Sequence, residues 1–216
     1  MQVSLIGPDG NGVRGARVRV AGVAADACGA GCYRARVRPT RELTVTVGDT
    51  EERFALPRLP APGAARLVAR AEAAWRGLRS LVDRQHLASS PTTAIDTLWL
   101  SKAPNRVSYR IRGGAAGIVI GSRRWDRVPG NGWRRSSTEP QPAPTPPWAA
   151  VAEAHLLGST SKALHVSFFD PQLNAWFELW IDRRTLRTLQ LRMTATAHFM
   201  HDVYGPFNGP VKISPP

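Results

Sequence analysis

Apolar and polar residues alternate most strongly in the last quarter of the chain, from Ala175 to Pro216. AWFELWID (175–182) reads as a strand, Arg183-Arg184-Thr185 as a polar turn, and LRTLQLRMTATAHFM (186–200) as one long return strand. Period-two alternation of this kind marks half-buried strands. A hairpin of such length suits a broad curved sheet better than a small sandwich. Residues 64 to about 87 repeat at helical spacing instead. Leu67, Ala71, Trp75, Leu78 and Val82 share one stripe while Arg66, Arg70, Arg76 and Arg79 lie off it, which predicts a single long helix.

Strand patterns fill the stretch between. TAIDTLWLSKAPNRVSYRIRGG (93–114) predicts two strands joined at Ala103-Pro104-Asn105. In the second of them Val107, Tyr109 and Ile111 alternate with Arg106, Ser108, Arg110 and Arg112, one apolar face against one basic face. GIVIG leads into a hairpin whose Pro129-Gly130-Asn131-Gly132 turn lies between Trp125 and Trp133. EPQPAPTPP (139–147) reads as a surface loop, WAAVAEAHLLG (148–158) as a short helix and ALHVSFFD (163–170) as a strand. The order predicts a mainly β (α+β) domain, an antiparallel meander curled into an open barrel with one long and one short helix at its mouth. Its concave face is expected to carry Leu98, Leu100, Tyr109, Ile111, Ile118, Ile120, Phe177, Leu179, Leu191 and Met193. Such a lining forms either a solid core or a cleft for an acyl chain.

The first 56 residues have a different rhythm. VSLIG, ARVRV, CYRARV, LTVTV and RFAL are short runs punctuated by turns such as Pro8-Asp9-Gly10-Asn11-Gly12, the pattern of a small antiparallel β-sandwich. PRLPAPGA (57–64) is a stiff linker, so two domains are expected, 1–58 and 64–216.

Charge narrows the partners. The 216 residues carry a formal net charge of +13, from 29 Lys and Arg against 16 Asp and Glu. Such an excess favours anionic phospholipid, nucleic acid or an acidic protein surface; it is equally what an Arg-rich coding bias puts on a solvated surface. RRW and GWRR offer stacking aromatics beside cations, but Trp residues flanking a hairpin turn are also ordinary cross-strand packing, and nucleic acid is not expected as a partner. No run of 18 apolar residues occurs. The chain opens almost inside a strand, and the expectation is that the protein is tethered through a membrane segment outside these residues.

Candidate chemistry is sparse. Cys28 and Cys32 are the only cysteines, and the three small residues between them allow a tight turn that brings the sulfurs together. A disulfide in an oxidising compartment is the first reading, with a metal pair or free thiols as alternatives. The sequence contains no G-x-S-x-G, no H-E-x-x-H and no phosphate-cradling glycine loop, and no enzymatic activity is expected. Glu178 and Asp182 would share a strand face but lie too far apart for a coupled pair, and Asp182 reads as the residue that starts a turn. His198, Met200 and His201 combine imidazole and thioether, a ligand set suited to copper, against the plainer reading of polar sheet-edge and gap-filling residues.

Two resemblances enter here. The helix-then-meander order, RRWDRVPGNGW, WFELWIDRRTLRTLQLRMTA and the ending YGPFNGPVKISPP make residues 64–216 similar to the LolA-type lipoprotein-carrier superfamily, including its mycobacterial LppX/LprG branch. That resemblance implies an unclosed barrel holding acyl chains of lipids or lipoproteins, although this chain lacks a lipobox cysteine. DACGAGCYRARV and the following TVTVG strand resemble immunoglobulin-like extracytoplasmic modules of actinobacterial copper-resistance (CopC/CopD-type) membrane proteins. The N-terminal His ligand of such modules has no counterpart. The reading is a non-enzymatic extracytoplasmic protein of the cell envelope that shelters a lipid or other apolar ligand, needs no cofactor and touches an anionic membrane surface. A copper-handling or sensory module, and a structural interaction domain with a filled barrel, are the alternatives.

Overall fold

The computed structural model describes residues 1–216 apart from 9, 10, 39, 57, 91, 92, 149, 150, 152, 196 and 197. Parts of the expected Pro8–Gly12 turn, the 57–64 linker and the 148–158 helix therefore lie outside the described residues. Along the chain run β1 (Gln2–Ser4), β2 (Val18–Val20), β3 (Val23–Ala24), β4 (Asp26–Gly29), β5 (Cys32–Arg34), β6 (Glu42–Val47), β7 (Thr50–Ala55), α1 (Ala65–Arg76), β8 (Ser80–Ser90), β9 (Thr93–Lys102), β10 (Arg106–Ile111), β11 (Ala116–Ile120), β12 (Arg123–Arg127), β13 (Arg134–Ser137), β14 (Ala154–Ser159), β15 (Ala163–Asp170), β16 (Ala175–Asp182), β17 (Thr188–Ala195) and β18 (His198–Phe207). Two compact units result. One comprises Met1–Pro60 with Ala88–Ala94 and Ala195–Phe199, the other Ala61–Leu87, Ile95–Thr194 and Met200–Pro216.

The first unit holds two antiparallel sheets, ordered β1-β5-β4 and β3-β2-β6-β7. Alternation in VRV and ELTVTV sends Val18, Val20, Leu43 and Val45 inward, where they pack with Tyr33 and Ala35. The Tyr33 hydroxyl donates to the Val13 carbonyl at 2.9 Å and accepts from the Ala16 N–H at 3.0 Å, so this buried ring brings its own polar partners. A disulfide joins Cys28 to Cys32 across the β4–β5 hairpin.

The second unit is built on one antiparallel sheet of eleven strands, ordered β13-β12-β11-β10-β9-β8-β18-β17-β16-β15-β14. Residues directly opposed in an antiparallel ladder share a face, so the register assigns each side chain to one side or the other. Leu164↔Ile181, Val166↔Leu179 and Phe168↔Phe177, continued by Leu179↔Leu191, form an unbroken apolar block. Val166, Phe168, Phe177, Leu179, Ile181 and Leu191 have no exposed surface. From α1, Val68, Ala71 and Trp75 are buried. The Gly63 and Ala64 N–H groups both donate to the Ala154 carbonyl of β14, anchoring the helix start to the sheet edge. Trp75 lies edge-on to Tyr204 of β18 at 4.7 Å and to Trp148 at 5.0 Å.

Four sequence expectations change. The helix stops at Arg76, and residues 80–90 are the strand β8. Gly77 ends the helix, and Leu78 and Val82 fell on the helical stripe by coincidence of spacing, because Leu81 and Asp83 alternate with Val82 and Arg84. The short helix expected over 148–158 is replaced from Ala154 by β14, an edge strand pairing with β15. Helix-favouring Ala and Leu are overruled there by an open sheet edge. The long return strand is two strands, β17 and β18, adjacent in the sheet. The Pro-rich stretch is only partly a surface loop: Ala143 is buried, its N–H donates to the Pro104 carbonyl, and the stretch delivers Trp148 to the core.

The packed block predicts a sharp contrast in stability. Phe177→Ala is expected to cost about 3 to 5 kcal/mol, whereas Leu173→Ala, at a residue 54% exposed, stays within about 0.5 kcal/mol of the parent. Urea denaturation of the two variants measures both.

Candidate ligand surface on the helix face

Register across β9 to β12 separates two faces. Thr97↔Ile111, Trp99↔Tyr109, Tyr109↔Gly117 and Gly117↔Asp126, with Val107↔Val119 and Val119↔Arg124, lie on one. Leu98↔Arg110, Leu100↔Ser108, Ser108↔Ile118, Ile118↔Trp125 and Arg106↔Ile120 lie on the other. A chain of contacts ties the first set to the helix. The Trp99 indole N–H donates to Gln85 Oε1 at 3.3 Å, and Gln85 Nε2 donates to Met200 Sδ at 3.1 Å. Met200, Asp202 and Tyr204 alternate inward on β18, and Tyr204 meets Trp75 of α1. We call this the helix face. Leu191 belongs to it as well, since its neighbour Arg192 lies near His201, and His201 adjoins Asp202 on the opposite side of the strand.

The expected lining therefore splits. Tyr109, Ile111, Phe177, Leu179, Leu191 and Met193 are on the helix face, while Leu98, Leu100, Ile118 and Ile120 are on the opposite one. That second face is apolar because the chain's end covers it. Val211 and Ile213 pack with Ile120, and Val82, Leu100, Ile118 and Trp125 close around them. Phe177, Leu179 and Leu191 belong to the packed block and line no opening. Of the expected set, Tyr109, Ile111 and Met193 remain half-buried on the helix face.

What that face offers is uneven along the sheet. Over the middle of β15 to β17 it is closed, with Leu164 and Met193 half-buried toward the strand ends, and over β9 to β11 Trp99, Val107, Tyr109, Ile111 and Val119 are each only partly covered. The Trp99 and Tyr109 rings lie 4.9 Å apart, tilted by 39°. Tyr109 spreads over Gly117, where a Cβ would come within 2.2 Å of its ring. Glycine at this strand position lets the phenol ring lie flat along the sheet. Arg124 bounds the surface, held by both Asp126 carboxylate oxygens at 2.7 and 2.9 Å.

Under the helix this surface meets a buried acidic floor. Tyr204 donates to Asp202 Oδ2 at 2.8 Å. Burial, and then the charge of Asp202, raise the Asp83 carboxyl to about 8. Burial raises Asp202 to about 6, partly offset by hydrogen bonds from Tyr204 and Gln85. Asp83 Oδ1, Asp202 Oδ1 and Trp75 Nε1 are buried and make no hydrogen bond within the protein. At neutral pH the floor combines a protonated carboxyl, an ionised one and an indole donor, a set that hydrogen-bonds a water or a small polar group. Sequence reasoning missed Asp83, Asp202 and Gln85. Their signal was a polar residue at an inward position of an alternating strand, hidden for Asp83 and Gln85 by reading 80–87 as helix and for Asp202 by ending the return strand at Met200.

Met200 lies on one side of β18 and His201 on the other, and among the described residues no group of three or more His, Cys, Asp or Glu is placed to hold a metal. Asp182 starts its turn as expected, accepting from the Thr185 N–H at 2.7 Å and the Arg184 N–H at 3.2 Å. Glu178 pairs with His165 at 2.7 Å on the face opposite the packed block.

No protein-family model and no curated protein matches the chain. Among solved structures it is similar to LprF from Mycobacterium bovis (12% identity, 73% of this chain and 99% of that one, TM-score 0.48). It is also similar to the lipoprotein LppX of Mycobacterium tuberculosis (11% identity, 69% and 97%, TM-score 0.49). A LolA-superfamily protein from Nitrosomonas europaea aligns at 14% identity over 67% of this chain and 92% of that one, with a TM-score of 0.32.

The floor predicts a pH dependence of stability. In the unfolded chain Asp83 loses its proton near pH 4, in the folded protein at about 8. Between those values the native state binds more protons than the unfolded one, so stability falls as pH rises, with Asp202 adding the same sign up to about 6. Asp83→Asn is expected to flatten the slope between pH 6 and 8 and to raise stability at pH 8 by about 1 to 3 kcal/mol. Urea titrations at a series of pH values read this directly.

Proposed function

We propose that the second unit is a non-enzymatic binding domain that shelters an acyl chain against the exposed part of its helix face. One observation carries the reading. Along a single face of one sheet Val166, Phe168, Phe177, Leu179, Ile181 and Leu191 are fully buried, whereas over β9 to β11 five neighbouring apolar or aromatic side chains are partly open. An acyl chain laid there gains about 0.8 kcal/mol per buried CH₂. Flat Trp99 and Tyr109 rings suit a flexible chain, and the buried carboxyls together with Arg124 supply polar contacts for its head. The resemblance of residues 64–216 to lipoprotein carriers points to the same ligand class.

An extracytoplasmic setting follows from the Cys28–Cys32 disulfide, which persists in oxidising compartments. Tethering would come from outside the described strands: among the described residues no helix is long and apolar enough to cross a membrane, which says nothing of a β-barrel.

The two faces provide an internal control. Val107→Asp, on the helix face, is expected to weaken binding of a dansyl-labelled fatty acid at least tenfold, about 1.4 kcal/mol. Leu98→Asp, 42% exposed on the opposite face, should leave it unchanged. Equal loss in both folded variants, or no probe binding by the parent, contradicts the assignment.

A further inference from the structure

A cleft of about 500 Å³ opens at the end of the sheet where β8 begins and β9 ends, lined by Arg79, Ser80, Lys102, Asn208, Gly209, Pro210, Val211 and Lys212. Its walls come from three separate segments. Asn208 adopts a left-handed backbone (φ 58°) that turns the chain after β18 back along β8. Its Oδ1 accepts the Arg79 N–H at 2.7 Å, while its own N–H donates to the Ser80 carbonyl at 2.9 Å. The Ser80 hydroxyl donates to the Gly209 carbonyl at 2.7 Å, and the Ala103 N–H donates to the Arg79 carbonyl at 2.9 Å. The junction is thus held by main-chain groups and by two short polar side chains, one of which, Ser80, is 3% exposed. The three long cationic side chains take no part in these bonds.

Those cations are what distinguish the cleft. Arg79, Lys102 and Lys212 converge on it, and no carboxylate lines it. No ion pair among the described residues engages any of the three. The chain has 26 arginines and three lysines, Lys102, Lys162 and Lys212. A coding bias that makes almost every positive charge an Arg does not explain two of three lysines meeting in one cleft. Lysine differs from arginine as a compact, rotatable ammonium, a point charge suited to the oxygens of a phosphoryl group, while one guanidinium adds a planar fork. Three positive side chains lining one cleft with no carboxylate among its walls make a surface that favours an anion.

We propose that Arg79, Lys102 and Lys212 form a binding site for a phosphate-class anion, separate from the apolar surface on the helix face. Two sources offer that chemistry, a soluble phosphate compound and the headgroup of an anionic phospholipid. The inference does not rest on the acyl-chain reading, and either can fail alone.

The test compares the parent with an Arg79→Gln/Lys102→Gln/Lys212→Gln variant. A control variant, Arg36→Gln/Arg70→Gln/Arg135→Gln, removes the same charge at exposed positions elsewhere. The substituted side chains make none of the junction's hydrogen bonds, so both variants are expected to melt like the parent. Pyrophosphate is titrated calorimetrically, and vesicles of phosphatidylglycerol or phosphatidylcholine are used in flotation, all at physiological salt. The cleft variant should lose at least tenfold in affinity for the anion and the control less than twofold. Pyrophosphate binding without retention on phosphatidylglycerol assigns the site to a soluble phosphate. Cleft-dependent retention on phosphatidylglycerol but not phosphatidylcholine assigns it to a headgroup. Binding of neither anion by the parent, or equal weakening in both variants, overturns the proposal.

Discussion

A strand of alternating residues has two faces, and an eleven-stranded open sheet must find cover for both. Everything in the second unit answers to that constraint. The helix and the Pro-rich stretch, through Trp75 and Trp148, cover one face over β14 to β18. The chain's last residues, through Val211 and Ile213, cover the other over β8 to β12. Cover is thus placed at opposite halves of opposite faces. The uncovered remainder on the helix face, around Trp99 and Tyr109, is the surface we propose for an acyl chain.

This arrangement also explains why polar groups sit where they do. The acidic floor lies beneath the boundary between sealed and open portions, where Asp202 is 1% exposed and Asp83 adjoins it through its charge. Carboxyls buried this way are costly unless protonated or paired, and such costs persist at functional positions more often than in plain cores. The cationic cleft stands at the far end of the cover on the other face, built from the same terminal segment that supplies Val211. One stretch of chain thus closes an apolar surface and, one residue later, presents Lys212 to solvent.

Much of this was legible in the sequence. The Arg123–Arg127 and Arg134–Ser137 hairpin and the Ala175–Asp182 strand follow from alternation and turn chemistry, which are local properties. The faces were not legible. Leu98 and Tyr109 both read as apolar lining, because alternation within one strand says nothing of its register against the next. Leu100 and Ile118 are apolar for a reason more than 90 residues away, the tail that packs on them. The helix end was misread because Leu78 and Val82 satisfy a helical and an extended period equally well. With it went the inward parity of Asp83 and Gln85, the two residues that mark the floor. The YGPFNGPVKISPP ending stood out as a motif, and the structure gives it a physical role as a strap across the sheet.

Native mass spectrometry of the purified protein tests the central claim most directly, before and after incubation with phosphatidylglycerol. The account predicts a one-to-one adduct of lipid mass that is released by organic solvent and lost in Val107→Asp. A bare protein mass under both conditions, or an adduct that survives Val107→Asp undiminished, would contradict it and leave the open part of the helix face without a ligand.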